Sequence, residues 1–317
     1  MKFSRLGIIV LILSSVFITT NCSFYNRVMA QKNLVDGAEA YNNRKFAEAE
    51  ERFRAAADFD PERLSAESRT AQLFLARTLH SEFAGNRGRK DKAMQAIEEY
   101  KKALDAFLKA TAETKTELAQ NPDNKKLNKQ FEQNKDTVGS IVRAVASLYE
   151  NLQQDDKWMD WQLKAAANNA YPDNTRANAY IALGARQNSC ANDISDVEPV
   201  KKTVVKEEGA VFEFTKPESE ETFNKYKECI AKGTEYIDNA LKLSKDSESA
   251  WSYRTSLLVQ KMRLAEMEGN DKQKEELKAE ADKAKEQFQK LAEDRRKKED
   301  AEKAAKAAEE AKSKSKK

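Results

Sequence analysis

Histidine occurs once in the 317 residues, at His80. A Ser-His-Asp triad, a His-rich metal site or a histidine general base has to work with that single imidazole, between Leu79 and Ser81 on a helix stripe. Nine glycines and five prolines leave few turns, and none of the glycines builds a phosphate loop. Gly85 and Gly88 have no strand before them, and no Gly-Lys-Ser/Thr follows. Charge of one sign is also missing. The formal net charge is +3, and removing Lys2 and Arg5 with the N-terminal segment leaves about +1, which argues against a nucleic-acid partner. Long apolar runs are limited to Leu6–Ile18, which is short for a membrane span. The abundant carboxylates alternate with Lys and Arg, as on solvated helix faces, and no acid pair stands out. We therefore expect no enzyme, no cofactor and no metal.

What is present is Ala, Glu and Lys, with 34% charged and 40% hydrophobic residues. This composition favours an all-α protein. One round core of this length needs more apolar residues. A stacked array does not, because each helix pair buries its face only against its neighbours. The clearest stretch is Leu34 to Pro61, where small residues at Gly37, Ala49 and Ala56 let two helices cross closely, with Phe46 and Phe53 between them. Asp60 is expected to cap the next helix, with Pro61 at its first position. This spacing resembles the tetratricopeptide repeat, a helix–turn–helix unit of about 34 residues. The second half of the family pattern matches well. The first departs from it, with Asn33 at the family's aromatic place, Asp36 at its leucine, and the tyrosine one place late at Tyr41.

The resemblance implies a right-handed superhelix of about five antiparallel pairs over residues 33–293. A helix over Arg63–Ala84 pairs with one from Asp91 to Gln120, where Ala96, Tyr100 and Ala103 repeat the spacing of Ala49, Phe53 and Ala56. A polar helical segment to Lys135 precedes Thr137–Leu152, which pairs with Asp156–Asn169. That helix carries Trp158 and Trp161 one turn apart, read as core residues. The fourth pair opens with Tyr180, Leu183 and Gly184, and its second helix carries Gly233, Ile237, Ala240 and Leu241. Between its halves lies an insertion, 191–216, with short strands at Lys201–Lys206 and Ala210–Phe214, in the pattern of a β-hairpin. Thr215, Pro217 and Glu218 suggest a capping box after it. Trp251 starts a fifth pair, Gly269-Asn270 turns it, and Lys272–Leu291 closes it. From Asp294 the tail, 294–317, holds ten basic and six acidic residues and reads as a frayed helix or disorder, with a weak tether to anionic polymer or lipid as the functional alternative.

The N-terminus, residues 1–21, has the form of an export signal. Thr19-Thr20-Asn21-Cys22 resembles a bacterial lipoprotein cleavage box, departing from it at Thr19 and Asn21. The resemblance implies lipidation of Cys22, with 22–32 as a tether and, from Ser23, delivery to the periplasmic side of the outer membrane. Cleavage after Val28-Met29-Ala30, giving a soluble periplasmic protein, and a retained signal anchor stay open. Cys190 and Cys229 fall at neighbouring places of the fourth pair, and in an exported chain we expect a disulfide between them.

Helical arrays of this kind present a concave surface that holds a peptide or protein. The family's groove positions correspond to Leu34, Ala38, Tyr41 and Asn42 in the first pair. In the fourth they are Ile181, Ala185, Asn188 and Ser189, and in the fifth Ser252, Ser256, Val259 and Gln260. The mixture lacks the Lys and Asn of the subfamily that clamps a C-terminal carboxylate. The expected function is a scaffold for another cell-envelope protein. Alternatives are an assembly-factor lipoprotein for outer-membrane barrels or secretion pores, and a small-molecule or glycan-binding envelope protein using Trp158, Trp161 and the insertion.

Overall fold

The structure, a computed structural model, describes residues 25–206 and 209–314. The signal segment and Cys22 lie outside the described residues, as do Glu207 and Glu208 at the turn of the expected hairpin. Among the described residues the chain is all-helical apart from one strand pair. Helix α1 runs through 25–42. It is followed by α2 (Phe46–Asp58), α3 (Ala66–Gly85), α4 (Lys90–Gln120), α5 (Lys125–Asn151), α6 (Asp155–Ala167) and α7 (Asp173–Ser195). After β1 (Lys201–Lys206) and β2 (Gly209–Phe214) come α8 (Glu220–Leu243), α9 (Glu248–Met267) and α10 (Asp271–Lys314). Two compact units divide the chain, Met1–Trp158 with Ala170–Pro172 and Met159–Asn169 with Asp173–Lys317.

In the first unit, sequential helices pack as neighbours, α2 on α3, α3 on α4 and α4 on α5. Gly37 brings α1 onto α2 so closely that a Cβ there meets the Phe53 ring at 2.8 Å. Phe53 is fully buried and stacks on Phe74 of α3, ring centroids 5.4 Å apart. Polar groups continue the stack between α3 and α4, where buried Gln72 donates to the Glu99 carboxylate at 2.6 Å. Lys92 of α4 reaches back to Glu50 of α2 at 2.6 Å. In the second unit, α7 packs on α8, both pack on α9, and α9 packs on α10. Gly184 of α7 repeats the relation of Gly37, since a Cβ there lies 2.6 Å from the Ile237 side chain of α8. Ala281 and Ala284 of α10 are buried against Leu258, Trp251 and Met262 of α9.

Several boundaries differ from expectation, each for a local reason. The tether 22–32 includes the start of α1, whose Ala30 is buried. Helix α3 starts at Ala66, later than Arg63, because Arg63 takes a left-handed φ of 56° and holds Pro61 in a turn. The helix cap is Ser65, whose hydroxyl accepts the Ser68 N–H, and Asp60 supports it by accepting the Ser65 N–H at 2.6 Å. Helix α5 runs unbroken through Asp136, and the Thr137 side chain is accommodated within it by donating its hydroxyl to the Gln133 carbonyl. Helix α7 continues to Ser195, so the segment between α7 and α8 is 196–219, not 191–216. Ser219, rather than Thr215, caps α8 by accepting the Thr222 N–H. The charged tail is helical through Lys314. Pairs such as Glu293–Lys297 and Arg295–Glu299 brace it one turn apart, and Arg295 also reaches Glu248 of α9 at 2.8 Å.

Candidate partner-binding surfaces

The groove candidates separate into two groups. Ile181 is 8% exposed and packs with Ile237, Ala240, Ala250 and Leu257, so it is a core residue rather than a contact for a ligand. Gln260 is likewise buried, at 2% exposure. Leu34 is half-buried against Ala56, Ala57 and Ala71. Tyr41 has a packed ring, edge-on to Phe46 and Phe74, and its hydroxyl lies 2.9 Å from the Ser81 hydroxyl. Asn188 is buried, with its side-chain oxygen unpartnered. Ala38, Ala185, Ser252 and Ser256 are half-buried, while Asn42, Ser189 and Val259 are exposed. The reason for the division is that the first helix of each pair touches both its partner and the next pair. Adjacent positions point about 100° apart around the helix, so Asn188 and Gln260 are buried while their neighbours Ser189 and Val259 are exposed.

The lone histidine is a packing residue. His80 sits edge-on to Tyr100, ring centroids 6.0 Å apart, with Nδ1 3.4 Å from the Tyr100 hydroxyl. Burial first, and then the nearby Arg87 charge, lower its pKa. Burial pushes the Tyr100 hydroxyl up to about 12. Among the described residues no three His, Cys, Asp or Glu side chains are grouped to hold a metal ion. No described helix is long and apolar enough to cross a membrane.

Among the described residues, the segment between α7 and α8 carries four exposed large apolar side chains, Val197, Val205, Val211 and Phe212. Strands β1 and β2 pair antiparallel from Lys201↔Phe214 to Lys206↔Gly209. The base of this ribbon is seated in the second unit. Val200 is buried with Phe223, Tyr226, Ile230 and Met267, and Phe214 packs against the same cluster. The Phe214 N–H donates to the Glu266 carboxylate of α9 at 2.9 Å, and the Arg263 guanidinium lies over the Phe214 ring at 4.5 Å. Arg263 also donates to the Ser195 hydroxyl, which in turn donates to Gln260 Oε1 at 3.0 Å. The Tyr226 hydroxyl donates to Gln260 as well, and Gln260 donates to Asn192. Burial lifts the Tyr226 hydroxyl to about 12, so it remains a donor throughout the physiological range. A disulfide joins Cys190 of α7 to Cys229 of α8 beside this seat.

The outer ribbon is bare by contrast. Val205 is 82% exposed and Phe212 57%. The Lys201 ammonium lies 4.1 Å above the Phe212 ring and pairs with Asp196, whose carboxyl it holds below its ordinary value. Sequence reasoning locates the strands but not their seat. The signal for it is the stripe Gln260, Arg263 and Glu266 on α9, three residues apart and aimed at one side. Comparison of the chain with protein-family models and with curated proteins found no match.

Proposed function

We propose that this chain is a non-enzymatic scaffold of tetratricopeptide-repeat type that binds another protein or a peptide in the cell envelope. The observation that carries the reading is the repeated helix crossing. Gly37 against Phe53 and Gly184 against Ile237 are the same glycine-to-large-residue contact, sixteen residues apart within the first pair and interrupted by the inserted ribbon in the other. Helix pairs of this type bind partners along one helix face, and the candidate contacts are Ala38 and Asn42 in the first unit and, separately, Ser256 and Val259 in the second. Trp158, at 6% exposure, is a poor sugar-stacking platform, which favours a scaffold over a glycan-binding protein. Export with lipidation at Cys22 would hold the scaffold on the periplasmic face of the outer membrane.

Photocrosslinking in the native host tests the binding reading. A crosslinking amino acid at Asn42 or Val259 should yield a discrete protein adduct, and one at exposed Glu62 should not. Equal labelling at all three positions would remove the groove. Labelled palmitate tests the anchor independently, with incorporation expected in the native chain and lost in Cys22→Ala.

A further inference from the structure

The outer part of the ribbon has an unfinished side. At its base the Lys201 N–H turns away from β2 to the Val197 carbonyl, and the Phe214 N–H turns away from β1 to Glu266. Alternation along an antiparallel ladder therefore points the N–H and C=O groups of Thr203 and Val205 away from β2 as well. Both residues are exposed. Helix α9 packs against β2, so the flanked edge is that of β2 and the open edge is that of β1.

The side chains along this edge are of two kinds. Thr203 and Val205 share a face with Phe212 and Ala210, their partners across the ladder. Lys202 and Val204 share the other face with Glu213 and Val211. The strand sequence KKTVVK holds three lysines and no carboxylate. Lysine on an edge strand discourages pairing with a like strand, and opposite charges across neighbouring strands stabilise. A second β1 is thus a poor occupant, and an acidic strand is a good one. Lys201 is engaged by Asp196, and exposed Lys202, which has Glu213 opposite it on the β2 side, is the lysine that an incoming strand meets on the open side.

We propose that the open edge of β1 is a docking site for an extended acidic segment of a partner protein, apolar on one face and carboxylate-bearing on the other. The segment adds a third strand beside Thr203 and Val205, with main-chain hydrogen bonds supplying affinity and Lys202 supplying selectivity. This goes beyond the groove reading, because the edge lies on the inserted ribbon and uses none of the groove positions.

The test uses the full chain and two short fluorescent peptides, one alternating valine with glutamate and one alternating valine with lysine, read by anisotropy. The glutamate peptide should bind with a Kd roughly tenfold lower than the lysine peptide. Amide exchange at Thr203 and Val205 should slow when it binds. Thr203→Pro, which removes an edge donor, should abolish binding. Lys202→Glu leaves the backbone intact and should reverse the preference between the peptides. Equal affinity for both peptides, an unchanged preference in Lys202→Glu, or protection confined to the helices would each overturn the proposal. Protection at Asn42 or Val259 alone would do so while leaving the groove reading in place. A dimer of the unliganded chain that Thr203→Pro dissolves would also overturn it, by assigning the edge to a second copy.

Discussion

At the scale of single residues, the two close helix crossings differ in how much they can yield. The Phe53 ring that faces Gly37 is buried, rigid and stacked on Phe74, whereas the Ile237 Cδ1 and Cγ1 that face Gly184 belong to an equally buried but rotatable aliphatic chain. Overpacking typically costs about 1–3 kcal/mol, against about 1 kcal/mol gained from replacing a helical glycine with alanine. Gly37→Ala should therefore lower stability by about 1 kcal/mol net, and Gly184→Ala by less, as read from urea midpoints. Ile237→Val should rescue Gly184→Ala in a double-mutant cycle, while Phe53→Leu should rescue Gly37→Ala less well. The single histidine gives a second measurement. With burial favouring its neutral form, the His80 imidazole should titrate below its ordinary 6.5 in a proton NMR titration. Gly37, Phe53, Gly184 and Ile237 were legible in the sequence because small-and-large spacing records a crossing directly. Ile181 and Gln260 were not. A groove position and a core position differ by which neighbouring helix covers them, and one helix's periodicity does not carry that information.

At the scale of elements, the helices were easier to read than their ends. Asn121-Pro122-Asp123-Asn124 marks a true stop, because Asn124 caps α5 by accepting two N–H groups. The start of α3 was obscured by Asp60-Pro61, a strong local cap signal that the left-handed Arg63 turn displaces to Ser65. The strands were legible from their β-branched runs. Their seat depends on Arg263 and Glu266, 49 and 52 residues from Phe214, a separation beyond any local pattern. The Cys190–Cys229 bridge closes a 39-residue separation around the ribbon, which in the chain-entropy model stabilises by about 4 kcal/mol. Replacing both cysteines with serine should lower the Tm markedly, and amides around Val200 and Phe214 should exchange faster. Alkylation of the native chain without reductant should leave Cys190 and Cys229 unmodified. Labelling of either would disprove the bridge.

At the scale of the whole molecule, the near-balanced charge hides a set of interhelix ion pairs that should shape the response to acid. Burial alone would raise the Glu50 pKa, but hydrogen bonds and charge from Lys92 and Arg54 hold it below its ordinary 4.5. Asp60 is likewise held below 3.8, where burial is outweighed by the hydrogen bonds from Ser65 and its neighbours. A lowered carboxyl pKa contributes stability that is fully present above the unfolded value and lost as pH falls through the folded one. Denaturant titrations should therefore show a flat plateau above pH 4.5 with respect to Glu50 and a decline below it. The decline should be shallower in Glu50→Gln, whose amide cannot take up the proton. An unchanged acid limb in that variant would show that the Lys92–Glu50 pair contributes nothing measurable.

One consequence concerns leverage. At 1.5 Å per residue, the 44-residue α10 is about 66 Å long, more than twice its 20-residue neighbour α9. The contact between Arg295 and Glu248 lies near the end of the supported part, and the helix continues about 30 Å beyond it. A rod held this way behaves as a beam clamped at one end. A rocking of a few degrees at the clamp moves its far end by several ångströms, so whatever attaches to the outer part of α10 would sense small changes in the α9–α10 packing at a distance.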